Sequence, residues 1–237
     1  MKKFLRTVLV RLTRIIYNTI KDIKKFERTE ALKNKLDKNL VDETFVNFKN
    51  DIKKSLLYGE LEKVREYAIK TSLSNDKNNE FFYLEFGVWK GASANYFSKF
   101  VKNLYVFDSF EGLKEDWSGT EYQKSFFDLN KKIPKLNSNI NPIVGWVEDT
   151  LDNFLKKYNP QINFVHLDMD TYSSTKFVLE KIKPYLVKNA IILFDELYNY
   201  IGWEHGEYRA LNEVFKKEEF QYKAFNIRDV NVVIEIK

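Results

Sequence analysis

Residues Phe164 to Glu196, FVHLDMDTYSSTKFVLEKIKPYLVKNAIILFDE, constrain the fold more than any other stretch. An apolar strand pattern (Phe164, Val165, Leu167) runs into Asp168 and Asp170, a helical stretch follows, and a second apolar run, Ala190 to Phe194, ends in Asp195 and Glu196. Strand, helix, strand units build parallel α/β sheets, and the crossover brings both strand ends to one sheet edge. Four carboxylates should therefore converge there, either as a divalent-cation site or as solvated turns.

Composition narrows the chemistry. With 237 residues, 44% hydrophobic and 16% aromatic, the chain can bury one substantial core, and at about 150 residues per domain the expectation is one domain plus an extension. Cysteine is absent, which excludes disulfides, thiolate metal sites and a cysteine nucleophile. His166 and His205 are the only histidines, too few for a three-histidine zinc site. A metal here would be held mainly by oxygen, which favours Mg²⁺, Ca²⁺ or Mn²⁺.

The formal charge of +5 is unevenly spread. Residues 1–25 carry eight Lys and Arg against Asp22 alone, while the other 31 basic residues are outnumbered by 33 acidic ones. A slightly acidic body is a poor footprint for a phosphate backbone, so no nucleic-acid partner is expected. In residues 1–26, Leu5, Val8, Leu9, Leu12, Ile15, Ile16, Ile20 and Ile23 recur at the spacing of one helix face. The longest apolar run, Val8 to Val10, is far short of the ~20 residues that span a bilayer. Two readings stand level: a basic amphipathic helix on an anionic membrane face, or a helix packed on its own domain or a second subunit. A cytoplasmic, homo-oligomeric chain, peripheral at the inner face of the membrane on the first reading, is the expectation.

Residues 27–80 read as further helices, about Val41 to Leu57 and Gly59 to Thr71, with a polar linker ending at Asn79. The division expected is a helical extension over 1–79 and a main domain over 80–237. That domain opens with the buried strand Phe81 to Phe86, then Gly87-Val-Trp-Lys-Gly91-Ala-Ser93 and a helix, a turn that lets a ligand approach the backbone. Leu104 to Phe107 is the next strand and ends in Asp108, about 20 residues past the glycine turn, where nucleotide-binding α/β folds place an acid for ribose hydroxyls. The long stretch Ser109 to Lys132, holding Trp117 and Tyr122, suits a lid or substrate wall. Pro142 to Val144, then Phe220 to Phe225 and Asn231 to Ile236, supply the remaining strands. Six of the eight glycines follow predicted strands, on the edge where open α/β sheets bind ligands.

Five motifs in order, Glu85-Phe-Gly-Val-Trp-Lys-Gly-Ala-Ser93, Phe107-Asp-Ser-Phe-Glu-Gly-Leu113, Gly145-Trp-Val-Glu-Asp-Thr-Leu151, Leu167-Asp-Met-Asp-Thr-Tyr-Ser-Ser-Thr175 and Phe194-Asp-Glu196, resemble those of the macrocin-type sugar O-methyltransferases. These are class I, S-adenosylmethionine-dependent, divalent-metal-dependent enzymes, and the likeness covers about Glu80 to Lys217. It implies an α/β, Rossmann-like fold: a mostly parallel seven-stranded sheet with helices on both faces. It implies that Glu85, Gly87 and Gly91 form the turn under the methionine part of the cofactor with Ser93 nearby, that Asp108, followed by Ser109, takes the ribose hydroxyls, and that Trp146 and Glu148 border the adenine. It also implies Asp168, Asp195 and Glu196 as ligands to Mg²⁺ or another hard cation, Asp168 thereby counting among the catalytic residues. Two departures are visible: Asp195-Glu196 where paired aspartates are common, and Lys188-Asn189 where Gly-Gly is usual, although asparagine tolerates left-handed backbone values.

The chemistry fits independently. A sugar hydroxyl is a poor nucleophile until it loses its proton, and a cation bound beside it lowers that cost. Asp170, then His205, are the candidate bases. His166, within a strand pattern, reads first as a hydrogen-bonded core histidine. Trp117, Trp203 and Tyr198 either stack on a sugar or cover the core, and Tyr172 to Thr175 reads as a helix N-cap. The expected function is methyl transfer to a sugar hydroxyl of a surface polysaccharide precursor or glycosylated natural product. The rivals are a nicotinamide-dependent or metal-assisted oxidoreductase on the same sheet, and a membrane-docked scaffold without catalysis.

Overall fold

The computed structural model describes the backbone from Lys2 and the side chains from Arg11 to Lys237. The expectations for side chains of residues 1–10 lie outside the described residues. The chain divides into two compact units, Met1–Val46 and Asn47–Lys237. The described residues of the first lie within one long helix, α1 (Lys2–Ile52).

The second unit is a single eight-stranded sheet. Its strands in chain order are β1 (Leu56–Tyr58), β2 (Phe82–Phe86), β3 (Leu104–Asp108), β4 (Ile140–Val144), β5 (Ile162–Leu167), β6 (Leu186–Phe194), β7 (Phe220–Asn226) and β8 (Val232–Ile236). In space they run β1-β7-β8-β6-β5-β2-β3-β4. All neighbours are parallel except that β8 is antiparallel to both β6 and β7. The sheet is therefore the expected seven strands plus one more. The extra edge strand, β1, comes from residues whose sequence suggests the end of a helix over Val41 to Leu57. The helix stops at Ile52, and Leu56 to Tyr58 pair with Ala224 to Asn226 instead, because backbone pairing along an open sheet edge outweighs a weak helical pattern. The unit that begins at Asn47 thus includes β1 and the helix α2 (Leu61–Asn75).

The remaining helices are α3 (Ala92–Phe97), α4 (Val147–Tyr158), α5 (Tyr172–Ile182) and α6 (Glu207–Val214). Strand periodicity sorts side chains cleanly between the two faces. Tyr83, Val106, Phe164, Ile191 and Leu193 join Val64 and Ala68 of α2 and Phe97 of α3 in one buried cluster. Phe82, Tyr105 and Phe107 point the other way and meet Phe154 of α4. The face of α2 and α3 also carries Glu85 of β2 and His166 of β5, paired across the strands.

The direction of travel across the sheet reverses between β2 and β5, so a crevice opens at their carboxyl ends. The pairing continues one residue past each strand end. The amides of Gly87, Asp168, Asp195 and Gly145 donate to the carbonyls of Phe107, Phe86, Leu167 and Asp108 at 2.8–3.0 Å. These bonds hold five strand tips level. Opposite, β6 bulges against β5 between Leu186 and Ile191, and Asn189 there takes φ 62°, the left-handed value its side chain tolerates. Among the described residues no helix is long and apolar enough to cross a membrane.

Candidate active site

A cavity of ≈590 Å³ occupies the crevice. Gly87, Ser93, Asp108, Ser109, Trp146, Asp168, Asp195 and Glu196 line it, as do Asp170 and Arg65. Gly87 is the hinge of its floor. With φ 88°, it lets the β2 tip turn where a side chain would be strained, and its α-carbon passes against the backbone of Asp168. Asp108 organises the same turn: its Oδ2 accepts the amides of Val88 and Trp89, both at 2.8 Å, and Oδ1 accepts that of Phe110 at 2.7 Å. Three of the residues expected around the cofactor stand behind the cavity wall. Gly91 (φ 78°) forms the bend into α3. Glu148 pairs with Lys114 at 2.8 Å, and that ammonium in turn lies over the Trp146 ring. Glu85 is fully buried under α3 and faces His166.

That buried pair begins a chain of polar contacts to the cavity. His166 Nδ1 lies 3.0 Å from Glu85 Oε1, and Nε2 lies 3.2 Å from Asp195 Oδ1. Although burial opposes charge on the ring, its bonds to Asp195 and Glu85 raise the His166 pKa to about 10, so an imidazolium donates to both acids. Arg65 Nη2 and Asn231 Nδ2 also donate to Asp195 Oδ1, at 3.3 and 3.1 Å. Burial would raise Asp195, but His166 and Arg65 hold it down at about 2. Its second oxygen is free of these bonds.

Around this ionised carboxylate stand acids that repel one another. Asp168, Asp195 and Glu196 each bring a carboxylate oxygen to within 4.8 Å of the others. Burial, then Asp195, push Asp168 and Glu196 well above the ordinary carboxylate range. Burial and the charges of Asp195 and Asp108 raise Asp170 to about 7. Glu196 Oε2 is sealed from solvent without a hydrogen-bond partner, while the Glu196 amide donates to buried Glu207 at 3.1 Å. An unsatisfied buried oxygen among crowded carboxylates is costly unless a cation neutralises it. The donors are all hard oxygens, as Mg²⁺ requires, so these residues fit a divalent ion.

A second cavity of ≈260 Å³ adjoins the first, lined by Glu115, Tyr172, Tyr200, His205 and Arg209 among others. Trp117, Asp170 and Thr171 line both. Asp170 adopts φ 63°, and the amide of Thr171 closes a three-residue turn onto Met169 at 2.6 Å. Such a conformation is strained for a residue with a side chain and concentrates at functional sites. Trp117 reaches the site from the long loop after β3, where it stacks on Tyr122 and meets Tyr200 edge-on. The loop is thus a wall, as its length suggests. Trp203 and Tyr198 instead belong to the core, against Phe48. No side chain of the Tyr172–Thr175 segment caps α5: Glu115, 58 residues away, accepts the amide and hydroxyl of Ser173 at 3.3 and 2.7 Å.

Sequence reasoning left out Arg65, Glu207 and Asn231. None sits in a motif, and only the packing of α2, α6 and β8 onto the strand tips brings them in.

An open, mostly parallel sheet with a glycine turn, a strand-end acid and a crevice at its reversal point defines a Rossmann-like fold built for a nucleotide-bearing cofactor. Residues 84–197 match the family described as "Methyltransferase domain". Among solved structures the chain is similar to CalS11, a calicheamicin methyltransferase (18% identity, 85% of this chain and 91% of that one, TM-score 0.59). An apo structure of CalS11, described as a TDP-rhamnose 3'-O-methyltransferase, gives 18% identity over 85% and 93% with TM-score 0.54. The O-methyltransferase NovP gives 18% over 75% and 79% with TM-score 0.53. No curated protein sequence matches the chain.

Proposed function

We propose that the chain transfers a methyl group from S-adenosylmethionine to a sugar hydroxyl with the help of Mg²⁺ or a similar cation. The observation that carries this reading is the meeting of Asp168, Asp195 and Glu196 within 4.8 Å at the floor of a cofactor-sized cavity that adjoins a smaller, aromatic-walled one. The descriptions of CalS11 and NovP as a sugar and an O-methyltransferase support it.

When bound, the cofactor supplies an activated methyl group and a divalent ion supplies positive charge that eases deprotonation of a hydroxyl. The chain's own residues do the rest. Asp168, Asp195 and Glu196 would hold the ion, with Asp195 kept ionised by His166 and Arg65. Asp170 lines both cavities, stands where acceptor and donor meet, and takes the hydroxyl proton on its carboxylate; its pKa near 7 suits a base at neutral pH. His205, in the acceptor cavity, is the second candidate. Trp117 and Tyr200 offer apolar faces to a sugar ring and keep water from the methyl group.

The test is incubation of the protein with isotopically labelled S-adenosylmethionine, Mg²⁺ and a panel of nucleotide sugars and glycans, read by mass spectrometry. Gain of one labelled methyl on a sugar oxygen supports the reading. Methylation only of nitrogen or carbon acceptors, or transfer indifferent to chelator, defeats it.

A further inference from the structure

We infer that the α1 segment from Arg11 to Phe26 is a docking surface for an anionic lipid bilayer. Leu12, Ile15, Ile16, Ile20, Ile23 and Phe26 are each 47–67% exposed, far more than a helix needs to leave uncovered. At 3.6 residues per turn they fall, with Thr19, on one arc of roughly 140°. Arg11, Arg14, Lys21, Lys24 and Lys25 occupy the remaining circumference, with Asp22 as the segment's single acid. A broad apolar face backed by cations is the pattern of a helix lying in a membrane interface: the apolar side enters the acyl boundary, and the basic side chains, with their long stems, reach the headgroup phosphates.

Charge and geometry favour this occupant over a second copy of the chain. A two-stranded coiled coil needs a narrow seam at two positions in seven, flanked by charges that pair across the interface. With Leu12, Ile16, Thr19, Ile23 and Phe26 on such a seam, the flanks are Thr13, Ile15, Ile20 and Asp22, which offer no complementary ion pairs and leave two isoleucines uncovered. The basic residues would then sit with like charges in a dimer, whereas an anionic surface attracts every one of them.

The test is co-sedimentation of the full-length protein with phosphatidylcholine vesicles containing or lacking phosphatidylglycerol, beside sedimentation-velocity measurement of its mass. Binding to the anionic vesicles, weakened by salt, is expected. Lys21→Gln with Lys24→Gln should lower partitioning roughly thirtyfold, since each basic residue near the surface contributes about 1 kcal/mol. Ile16→Gln with Ile23→Gln should abolish binding while methyl transfer in solution continues. Equal binding to uncharged vesicles, no binding to either, or a stable dimer that the glutamine pair dissociates would overturn the inference.

Discussion

A β-carbon on Gly87 would lie 1.6 Å from the carbonyl oxygen of Asp168. The tips of β2 and β5 therefore touch backbone to backbone, and the glycine turn of the proposed cofactor cavity is fastened to the residue that carries the first carboxylate of the proposed metal site. Gly87→Ala cannot be accommodated by a rotamer change, because the obstacle is main chain. The positive φ alone costs ~1–3 kcal/mol for a residue with a side chain, and the overlap must also move one strand tip. The variant should lose most cofactor affinity by calorimetry and melt several degrees lower. Wild-type affinity in a stable variant would mean the contact is looser than described.

Buried Glu85 and His166 stabilise one another: His166 also meets Asp195, while the Glu85 carboxylate bonds only to His166 among the described residues. Glu85→Ala leaves a buried imidazolium short of one acceptor and should destabilise the domain by ~3–5 kcal/mol. Glu85→Gln keeps an acceptor oxygen and should cost distinctly less. Denaturant unfolding of both variants checks this, and equal losses would show that shape matters more than the bond.

Glu213 ties α6 to α5 by accepting from Lys176 and Tyr172, with Arg209 as a third donor; these bonds, that of Lys176 foremost, lower its pKa from 4.5 to about 2. A depressed folded pKa means the stabilisation is fully present above pH 4.5 and fades as pH falls toward 2. The melting temperature of Glu213→Gln should therefore converge on that of the wild type in this acid window and lie below it at neutral pH. The cluster is exposed, so added salt should shrink the gap. A gap that is independent of pH would contradict the assignment.

Asp170, with Trp117 and Thr171, lines both cavities. If it takes the acceptor proton, Asp170→Asn should lower kcat by ~10²–10⁴ while leaving the KM for S-adenosylmethionine nearly unchanged. Steady-state kinetics decides the matter. A comparable rise in KM with little change in kcat would make Asp170 a binding residue, and the base would then be sought at His205.

The sheet, its ligand edge and the three clustered acids were legible because each depends on local pattern: apolar runs ending in Asp or Glu, glycine directly after, helix between. The features that eluded the sequence depend on distant segments. Leu56 to Tyr58 became a strand only because the β7 edge was open to them. Arg65, Asn231 and Glu207 surround the acids from α2, from the residue before β8 and from α6, and no spacing rule links those positions to Asp195. Glu85 belongs to a cofactor-turn motif in the sequence, yet strand alternation points it at His166 under α3, so its contribution to the cavity passes through His166 and Asp195. The cap of α5 fails for the same reason: Glu115 reaches it across 58 residues.

On the proposed function, Asp168, Asp195 and Glu196 grip a divalent ion beside the cofactor. Titration of the protein with Mn²⁺, followed by electron paramagnetic resonance, tests this grip, since bound and free Mn²⁺ differ in spectrum and no acceptor need be known. Saturable binding of a single Mn²⁺ per chain is expected, displaced by Mg²⁺ and lost in Asp168→Asn and Asp195→Asn variants that still bind S-adenosylhomocysteine. Mn²⁺ remaining free beside a folded, cofactor-binding wild-type chain would contradict it.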